Sequence, residues 1–483
     1  MKNNIAFAFL STLLVAPVLT MAQEEAAAAP ETAAPAAETA SGAGEVAAEV
    51  AETVAETAEA VVDNVVSVFE RASNHDAWDI RLSAFYKRGD NRDSVPDSYS
   101  EEKAEKYRYS EKEADVCFGI QPSATFHGNF AENQHYKLGY SPIYQYWTNP
   151  RVGSKRSELS HAALAEYRYV MDTRNEFTIR DEFKYIQNDY WYLDSSDVEQ
   201  HNYLNKRRTE HEQAHKDNTL RGLWKTQLSM RTALELQAYW LSIRYDDDEL
   251  AATEDEDKYV AIATLKRAWN SRFSYGIFGK YEAWDESGKT WNRGQSGPED
   301  SARGIETYTI GLSATYRSSA RLSIVARYGW EWIDYESDSI DDRDFPGDGD
   351  IAIHYAISMR TRGVFGVRYG VTEAWVYPFA SQDLYSFYTT LRTMHTKRIA
   401  SALRLEYKIA EYDYKYVPAE AKTNAFMASH DGEKIDIYAE FSLTYRWSRN
   451  FEITAHYSYE DVDSDVSTSY HENTYGIRAT YLF

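Results

Sequence analysis

The sequence predicts an all-β fold, a transmembrane antiparallel up-and-down β-barrel, and three observations support this prediction. From residue 76 onward, apolar side chains recur at every second position in runs of about ten residues, the length that a tilted strand needs to cross a bilayer. Long and short connections alternate between these runs. Past the N-terminus, no apolar run reaches the roughly 18 residues of a transmembrane helix. We expect about eighteen strands, with sixteen as the alternative, because such barrels have even strand counts.

Aromatic residues are unusually frequent in this chain. Its 483 residues include 39 Tyr and 12 Trp, and aromatic side chains make up 14% of the total. So many aromatic residues in a regular pattern exclude a disordered chain. The formal net charge is −24, which argues against binding to nucleic acid, because phosphates attract patches of Lys and Arg. Cys117 is the only cysteine, so no internal disulfide is expected.

The N-terminal part divides into three segments ahead of the predicted barrel at 76–483. Residues 1–22 have a basic start, a short apolar stretch and small residues at their end, which is typical of a signal peptide; a single membrane anchor is the alternative. Residues 23–44, rich in Ala, Glu and Pro, predict a disordered linker. In 45–72, apolar residues at spacings of three and four predict an amphipathic acidic helix in the periplasm. This helix either packs on a partner or itself, or is a marginal helix in a tail.

The period-two pattern places the strands individually. One clear run carries apolar Ile324, Tyr328 and Trp332 on one face and Arg327 on the other. Pro122 and Pro142 weaken the second and third strands, because proline cannot donate to a ladder; a bulge could absorb each one, and sixteen strands is the fallback count. The predicted strands are 77–87, 115–126, 134–146, 159–171, 175–186, 218–228, 232–245, 258–269, 272–282, 305–316, 321–335, 350–360, 363–376, 384–393, 398–411, 434–446, 451–460 and 473–483.

The connections indicate the orientation of the barrel. Outer-membrane barrels have short periplasmic turns and longer outer loops, and a chain that starts and ends in the periplasm fits the order seen here. The predicted short turns include 172–174, 229–231, 270–271, 317–320 and 447–450. The predicted long loops include 88–114, 187–217, 246–257, 283–304, 336–349, 412–433 and 461–472.

The last residues, 473–483, resemble the C-terminal strand of Gram-negative outer-membrane proteins. In those proteins the barrel-assembly machinery reads a terminal Phe with an aromatic residue two positions before it, and Tyr481 and Phe483 fit this signal. More narrowly, 160–185 and 451–483 are similar to the outer-membrane β-barrel porin 2 family. The resemblance implies an outer-membrane location with the N-terminal tail in the periplasm. It also implies a pore and, for some members, a part in exopolysaccharide export.

Three patterns suggest catalysis or metal binding, and each has a simpler explanation. Residues 211–215 match the H-E-x-x-H zinc pattern, but nothing apolar would bury such a helix, so we interpret the match as chance. His456, Ser458 and Glu452 lie on one strand face without a nucleophile motif. An acidic stretch could bind Ca²⁺, but a solvated outer loop is favoured; it contains Asp338, Asp341, Asp342, Asp344, Asp348 and Asp350. No catalytic residue, metal site or cofactor is therefore predicted.

The polar positions between the apolar stripes are the predicted functional residues. If the stripes face lipid, these positions face the lumen, where they line a pore or brace the wall by pairing across strands. The predicted pore-lining residues are Arg81, Arg168, Arg180, Glu182, Lys184, Arg327, Arg404, Glu406, Asp436, Glu440, Arg446, Glu452, His456 and Arg478.

The sequence therefore predicts a porin-like channel for passive passage of small hydrophilic solutes and not an enzyme. The alternative is a non-conducting barrel that acts in exopolysaccharide export or as a surface structural protein, and an outer-membrane hydrolase is a distant third. The expected partners are outer-membrane lipid and lipopolysaccharide, the barrel-assembly machinery, and further copies of the same chain.

Overall fold

The computed structural model shows a closed antiparallel sheet of eighteen strands. It describes residues 78–90, 115–148, 157–186, 214–246, 255–285, 304–374, 379–417, 430–466 and 469–483. Each strand pairs with its neighbours in the chain, and β1 also pairs with β18, which closes the barrel. The predicted all-β antiparallel barrel and the count of eighteen strands are confirmed. The segments 1–22, 23–44 and 45–72 lie outside the described residues.

The strands are longer than the average strand of a soluble sheet. Their bounds are β1 Trp78–Gly89, β2 Asp115–Ala131, β3 Gln134–Trp147, β4 Ser157–Val170, β5 Asn175–Ile186, β6 His215–Ser229, β7 Thr232–Tyr245, β8 Glu256–Ala268, β9 Phe273–Asp285, β10 Ile305–Arg317, β11 Leu322–Tyr335, β12 Arg343–Tyr355, β13 Thr361–Glu373, β14 Ser381–Met394, β15 Ile399–Tyr412, β16 Gly432–Arg446, β17 Phe451–Ser464 and β18 Tyr470–Leu482. One short 3-10 helix, Tyr414–Tyr416, follows β15. None of the described residues forms a helix long and apolar enough to cross a membrane.

The predicted bounds of β12 are wrong. Apolar residues at 357 and 359 extended the period-two pattern, but Ser358 accepts hydrogen bonds from the amides of Arg360 and Thr361 and closes a turn there. The strand instead begins at Arg343, within the stretch predicted as an acidic outer loop. Asp344, Asp348 and Asp350 therefore pair with β11 and belong to the barrel wall.

The two prolines in β2 and β3 are accommodated without a bulge at their own positions. Ile120 pairs with Tyr144 and Ala124 with Tyr140, so the register is the same on both sides of a three-residue gap. This register places Pro122 opposite Pro142. The two missing N–H donors therefore belong to a single residue pair of the β2–β3 ladder. Gln121 Nε2 donates to Ser141 Oγ at 2.9 Å and bridges the gap with side chains.

The pairing register separates an inner from an outer face around the whole barrel, because directly opposite residues lie on the same face. Following one face through all eighteen pairings returns it to the same residues of β1. The outer face carries large apolar side chains, and Ile437 and Phe441 are 39% and 44% exposed. The inner face carries the charged residues, and Glu406 is only 4% exposed. We call the end with the two-residue to five-residue turns the short-turn end and the opposite end the long-loop end.

Labelling of single cysteines tests which end faces outward. In a Cys117→Ala background, Asp341→Cys at the long-loop end should react with a membrane-impermeant maleimide on whole cells. Ser318→Cys in the turn between β10 and β11 should react only after the outer membrane is permeabilised. Asp341 is exposed and Ser318 is partly exposed in the structure, so both positions are accessible to the reagent and a difference in labelling reports the side of the membrane. Labelling of Ser318→Cys on intact cells would reverse the orientation.

Candidate functional site: the inner wall of the barrel

The inner wall collects the polar residues that the sequence singles out. Arg327 is opposite Asp350, Asp350 is opposite Arg368, and the same face continues through neighbouring strands. Arg404 is likewise opposite Glu440. The register places all of the predicted pore-lining residues on this face, and their role in conduction stays a prediction. They are Arg81, Arg168, Arg180, Glu182, Lys184, Arg327, Arg404, Glu406, Asp436, Glu440, Arg446, Glu452, His456 and Arg478.

Aromatic rings pack directly against glycines along the inner wall. A Cβ atom at Gly119 would lie 2.1 Å from the ring of Phe85, and one at Gly311 would lie 2.6 Å from the ring of Phe278. Phe85 and Phe278 are 0% and 2% exposed. Only glycine leaves room for a ring so close to the backbone, so these two positions hold large side chains against the wall.

Three arginines are stacked over inner aromatic rings. The guanidinium carbon of Arg327 lies 4.5 Å from the ring centre of Phe278, and that of Arg478 lies 5.4 Å from the ring centre of Phe85. Arg404 is 5.4 Å from the ring centre of Tyr438. A cation over an aromatic face is attracted by the ring quadrupole, which fixes the charge in place. Because Arg stays charged at any working pH, the arrangement holds permanent positive charge at the inner wall.

Acidic residues oppose these arginines on β15, β16 and β17. Arg404 forms an ion pair with Glu406 at 2.9 Å, and Lys408 lies 3.5 Å from the same carboxylate. His456 Nε2 lies 3.3 Å from Glu440, which is opposite Arg404 in the register. Two further members follow the same pattern: Asp436 lies 3.9 Å from Lys408, and Arg446 lies 3.4 Å from Glu452. This part of the wall has both charge signs in close alternation.

A second mixed network covers β1, β4 and β5. Arg168 forms a bidentate ion pair with Glu176, with N–O distances of 2.9 and 3.0 Å. Arg180 contacts Glu182 and lies 3.7 Å from Glu166. Arg81 pairs with Asp79 at 2.8 Å, and Lys184 is opposite the inner-face residue Asp217. Some of the sequence-predicted cations are therefore partly neutralised within the wall.

One group of deeply buried charges, on β8, β9, β11 and β12, was not predicted from the sequence. Lys258 contacts Glu282, and Lys280 lies 3.3 Å from Glu282, 3.5 Å from Asp348 and 3.9 Å from Glu331. Glu331 is 2% exposed and Lys258 is 4% exposed. Such charges inside protein must be paired, since the cost of removing them from water is large. The sequence did contain a signal for this group. Charged residues recur at alternate positions of β8 and β9, and alternate positions of a strand lie on the same face.

The end of β13 and the start of β14 lie within the lumen at the long-loop end of the barrel. β12 pairs with β13 only from Gly349 to Tyr355, so the two strands separate towards that end. Ser381 and Asp383 belong by alternation to the outer face of β14. They nevertheless bind inner-face side chains: Arg343 pairs with Asp383 at 2.7 Å, and Tyr335 shares a hydrogen bond with Ser381. The hairpin therefore bends into the lumen.

An apolar cluster holds this bent hairpin in place. Tyr412 and Val417 are 1% and 0% exposed, and Phe379 is 2% exposed. The amide of Ala380 donates to the carbonyl of Tyr416 at 3.0 Å and links the hairpin to the 3-10 helix. The buried members of the cluster are Ile305, Ile333, Tyr335, Ile340, Val371, Ala374, Phe379, Ala380, Ala410, Tyr412, Tyr416 and Val417. One side of the mouth is thus filled.

The patterns that suggested metal binding or catalysis do not assemble into a site. His215 begins β6 and packs beside Tyr245, so it lies in a strand; residues 211–213 of the H-E-x-x-H match lie outside the described part. In the described part of the chain, no three His, Cys, Asp or Glu side chains are grouped to hold a metal ion. His456 binds Glu440, and Asp348 and Asp350 are wall residues and not part of an outer loop.

Comparison with known proteins shows similarity only at the level of solved structures. No family model and no curated protein matches the chain. OpdQ of Pseudomonas aeruginosa is 10% identical with a TM-score of 0.44, covering 84% of this chain and 97% of that one. OccK2 (OpdF) of the same organism is 10% identical with a TM-score of 0.42, covering 84% and 98%. The P. aeruginosa siderophore receptor PirA is 6% identical with a TM-score of 0.41, covering 84% and 80%. Likeness at this level carries no conclusion about function, and the similarity to the porin 2 family stays a prediction.

Proposed function

We propose that this chain is an outer-membrane β-barrel that forms a porin-like channel for small hydrophilic solutes. The observation that carries the proposal is the contrast between the two faces of one closed sheet. The outer face is mostly apolar, with Asp181 of β5 as an exception, and the inner face carries most of the charged side chains. A closed barrel with this contrast satisfies every strand edge in a bilayer and leaves its polar face for water.

The width of the barrel supports an aqueous lumen. Barrels of roughly sixteen to eighteen strands enclose a channel unless inserted segments fill it. The rings lying on Gly119 and Gly311 keep aromatic bulk against the wall. Among the described residues, the bent β13–β14 hairpin and its apolar cluster occupy the side of the mouth near β10–β15. The passage is therefore narrowed on one side, which favours small solutes over polymers.

The charge pattern supports weak selectivity between ions. The ring-stacked arginines supply fixed positive charge, and Glu406, Asp436 and Glu440 oppose them on neighbouring strands. Charged rings at a constriction set ion preference through their field. Because both signs are present, the net preference is modest and depends on the arginines.

Replacement of Arg327, Arg404 and Arg478 by Ser tests the channel. Removing three positive charges from the wall should shift the reversal potential in a salt gradient towards cation selectivity. The shift is measured in planar bilayers with purified protein, and the far-UV β signal should stay unchanged. A matched variant with Lys at the same three positions keeps the charge and should keep the original selectivity.

Two outcomes of this experiment contradict the proposal. A protein that folds and inserts but never conducts would favour the non-conducting barrel acting in export or surface structure. Equal selectivity of the Ser and Lys variants would show that these arginines do not face the permeating ions.

A further inference from the structure

The turns at the short-turn end share one repeated structure. In seven turns, a polar side chain accepts a hydrogen bond from the backbone amide two residues later in the chain. Ser229 Oγ accepts from Arg231 N at 3.3 Å, and Asn270 Oδ1 accepts from Arg272 N at 2.8 Å. The accepting residues are Asp172, Ser229, Asn270, Ser319, Ser358, Thr396 and Ser448. A hydrogen bond from the Asn175 side chain holds the pKa of Asp172 below its usual value, so this cap stays ionised.

The residue two positions after each accepting residue has an equivalent place in every one of these turns. Its carbonyl accepts an amide of the next hairpin, as Arg174 does from Gln227 at 2.8 Å and Arg321 from Ala356 at 2.8 Å. Eight positions share this bond, and six of them are arginine. These six, which we call the arginine collar, are Arg174, Arg231, Arg272, Arg321, Arg360 and Arg398; Asn133 and Asn450 hold the other two positions.

The arginine collar carries positive charge that the described residues do not neutralise. All six side chains are exposed, and none lies within ion-pair distance of a carboxylate in the described part of the chain. Cations near the long-loop end differ, since Lys216 pairs with Asp246 at 2.8 Å and Arg343 with Asp383 at 2.7 Å. In a chain with a net charge of −24, six exposed arginines at one end form a local positive field that attracts anionic groups.

We propose that the acidic segment 45–72 of the same chain binds the arginine collar; this rests on the proposed membrane topology. Residues 23–72 contain eleven acidic side chains and one basic side chain, Arg71. Within the predicted helix, six acidic residues follow one another at spacings of four and three, which would place them on one helix face. They are Glu45, Glu49, Glu52, Glu56, Glu59 and Asp63.

Chain connectivity brings this segment to the collar. β1 starts at Trp78 at the short-turn end, so the segment is attached beside the ring that it binds. The residues between Asp63 and Trp78 can span roughly 50 Å when extended, and an eighteen-stranded barrel is about 35 Å across. Individual exposed Arg–Glu pairs are weak, but a tether of this length gives the segment an effective concentration in the millimolar range.

The proposal is tested on the full mature chain in phosphatidylcholine vesicles. A nitroxide on Thr57→Cys in a Cys117→Ala background reports how freely the segment moves. We expect rotation several-fold slower than in a free peptide, and fast rotation at about 1 M salt, where the Debye length is about 3 Å. Glu at the six collar positions, or Lys at the six acidic positions, should each release the segment.

Charge exchange identifies the partner. Combining Glu in the collar with Lys in the segment should restore slow rotation, and Lys at the six collar positions alone should preserve it. Slow rotation that survives Glu in the collar would overturn the proposal. Release by phosphatidylglycerol in the unchanged protein would also overturn it and assign the collar to lipid phosphates. Bilayer conductance of the same samples distinguishes the proposed channel from the proposed binding of 45–72 to the collar. Slow rotation of the segment in a protein that does not conduct would contradict the channel and leave the binding intact.

Discussion

Replacing Glu282 with Gln should lower the free energy of unfolding by about 3–5 kcal/mol, the range for breaking a buried ion pair on one side. Glu282 lies between Lys258 and Lys280, whose side chains are only 5% and 7% exposed. Neutral Gln leaves two ammonium groups on the inner wall with less compensation. Urea unfolding of protein refolded in detergent measures the loss.

The pair between Glu235 and Lys266 is the control for this prediction. Its atoms are 3.0 Å apart, but the Lys266 and Glu235 side chains are 51% and 29% exposed. Water and salt screen such a pair, so Glu235→Gln should cost less than about 1 kcal/mol. Equal losses for the two variants would mean that the inner network is hydrated and not buried.

Replacing Phe441 with Arg should cost about 2–4 kcal/mol, because it places a cation on the lipid-facing surface of the wall. Phe441 is 44% exposed on the outer face of β16. Its neighbour Ser442 lies on the inner face opposite Ala402, so Ser442→Arg should have little effect. Folding yield and heat-resistant migration in detergent compare the two variants. Similar behaviour would show that the inner and outer faces are assigned wrongly in this strand.

The strand order was predictable because apolar outer-face side chains repeat over long strands with few exceptions. Ile453, Tyr457 and their neighbours alternate with polar positions, and a slip of one residue would turn every apolar side chain inward. The predicted pattern was wrong where this rule ran into a turn. Ile357 and Met359 continue the period, but the Ser358 cap ends the strand before them.

The inner wall was predictable as a face but not as a set of contacts. Parity along each strand was enough to place Arg327 and Glu440 on the inner face. The partners of Lys280 come from β9, β11 and β12, and their proximity depends on how the strands are staggered after closure. The inward bend of β13–β14 depends on packing of Phe379 and Tyr412, which no local pattern encodes.

The opposed prolines of β2 and β3 have a mechanical consequence. A closed barrel carries circumferential tension through its inter-strand hydrogen bonds, and at this seam one ring of bonds is replaced by the contact from Gln121 to Ser141. Load must pass around the missing ring through the pairs on either side of it. Because Pro122 and Pro142 face each other, the weakness stays within one seam, and the ladders from β1 to β2 and from β3 to β4 remain continuous. The wall can therefore stretch locally at this seam while its neighbours stay stiff.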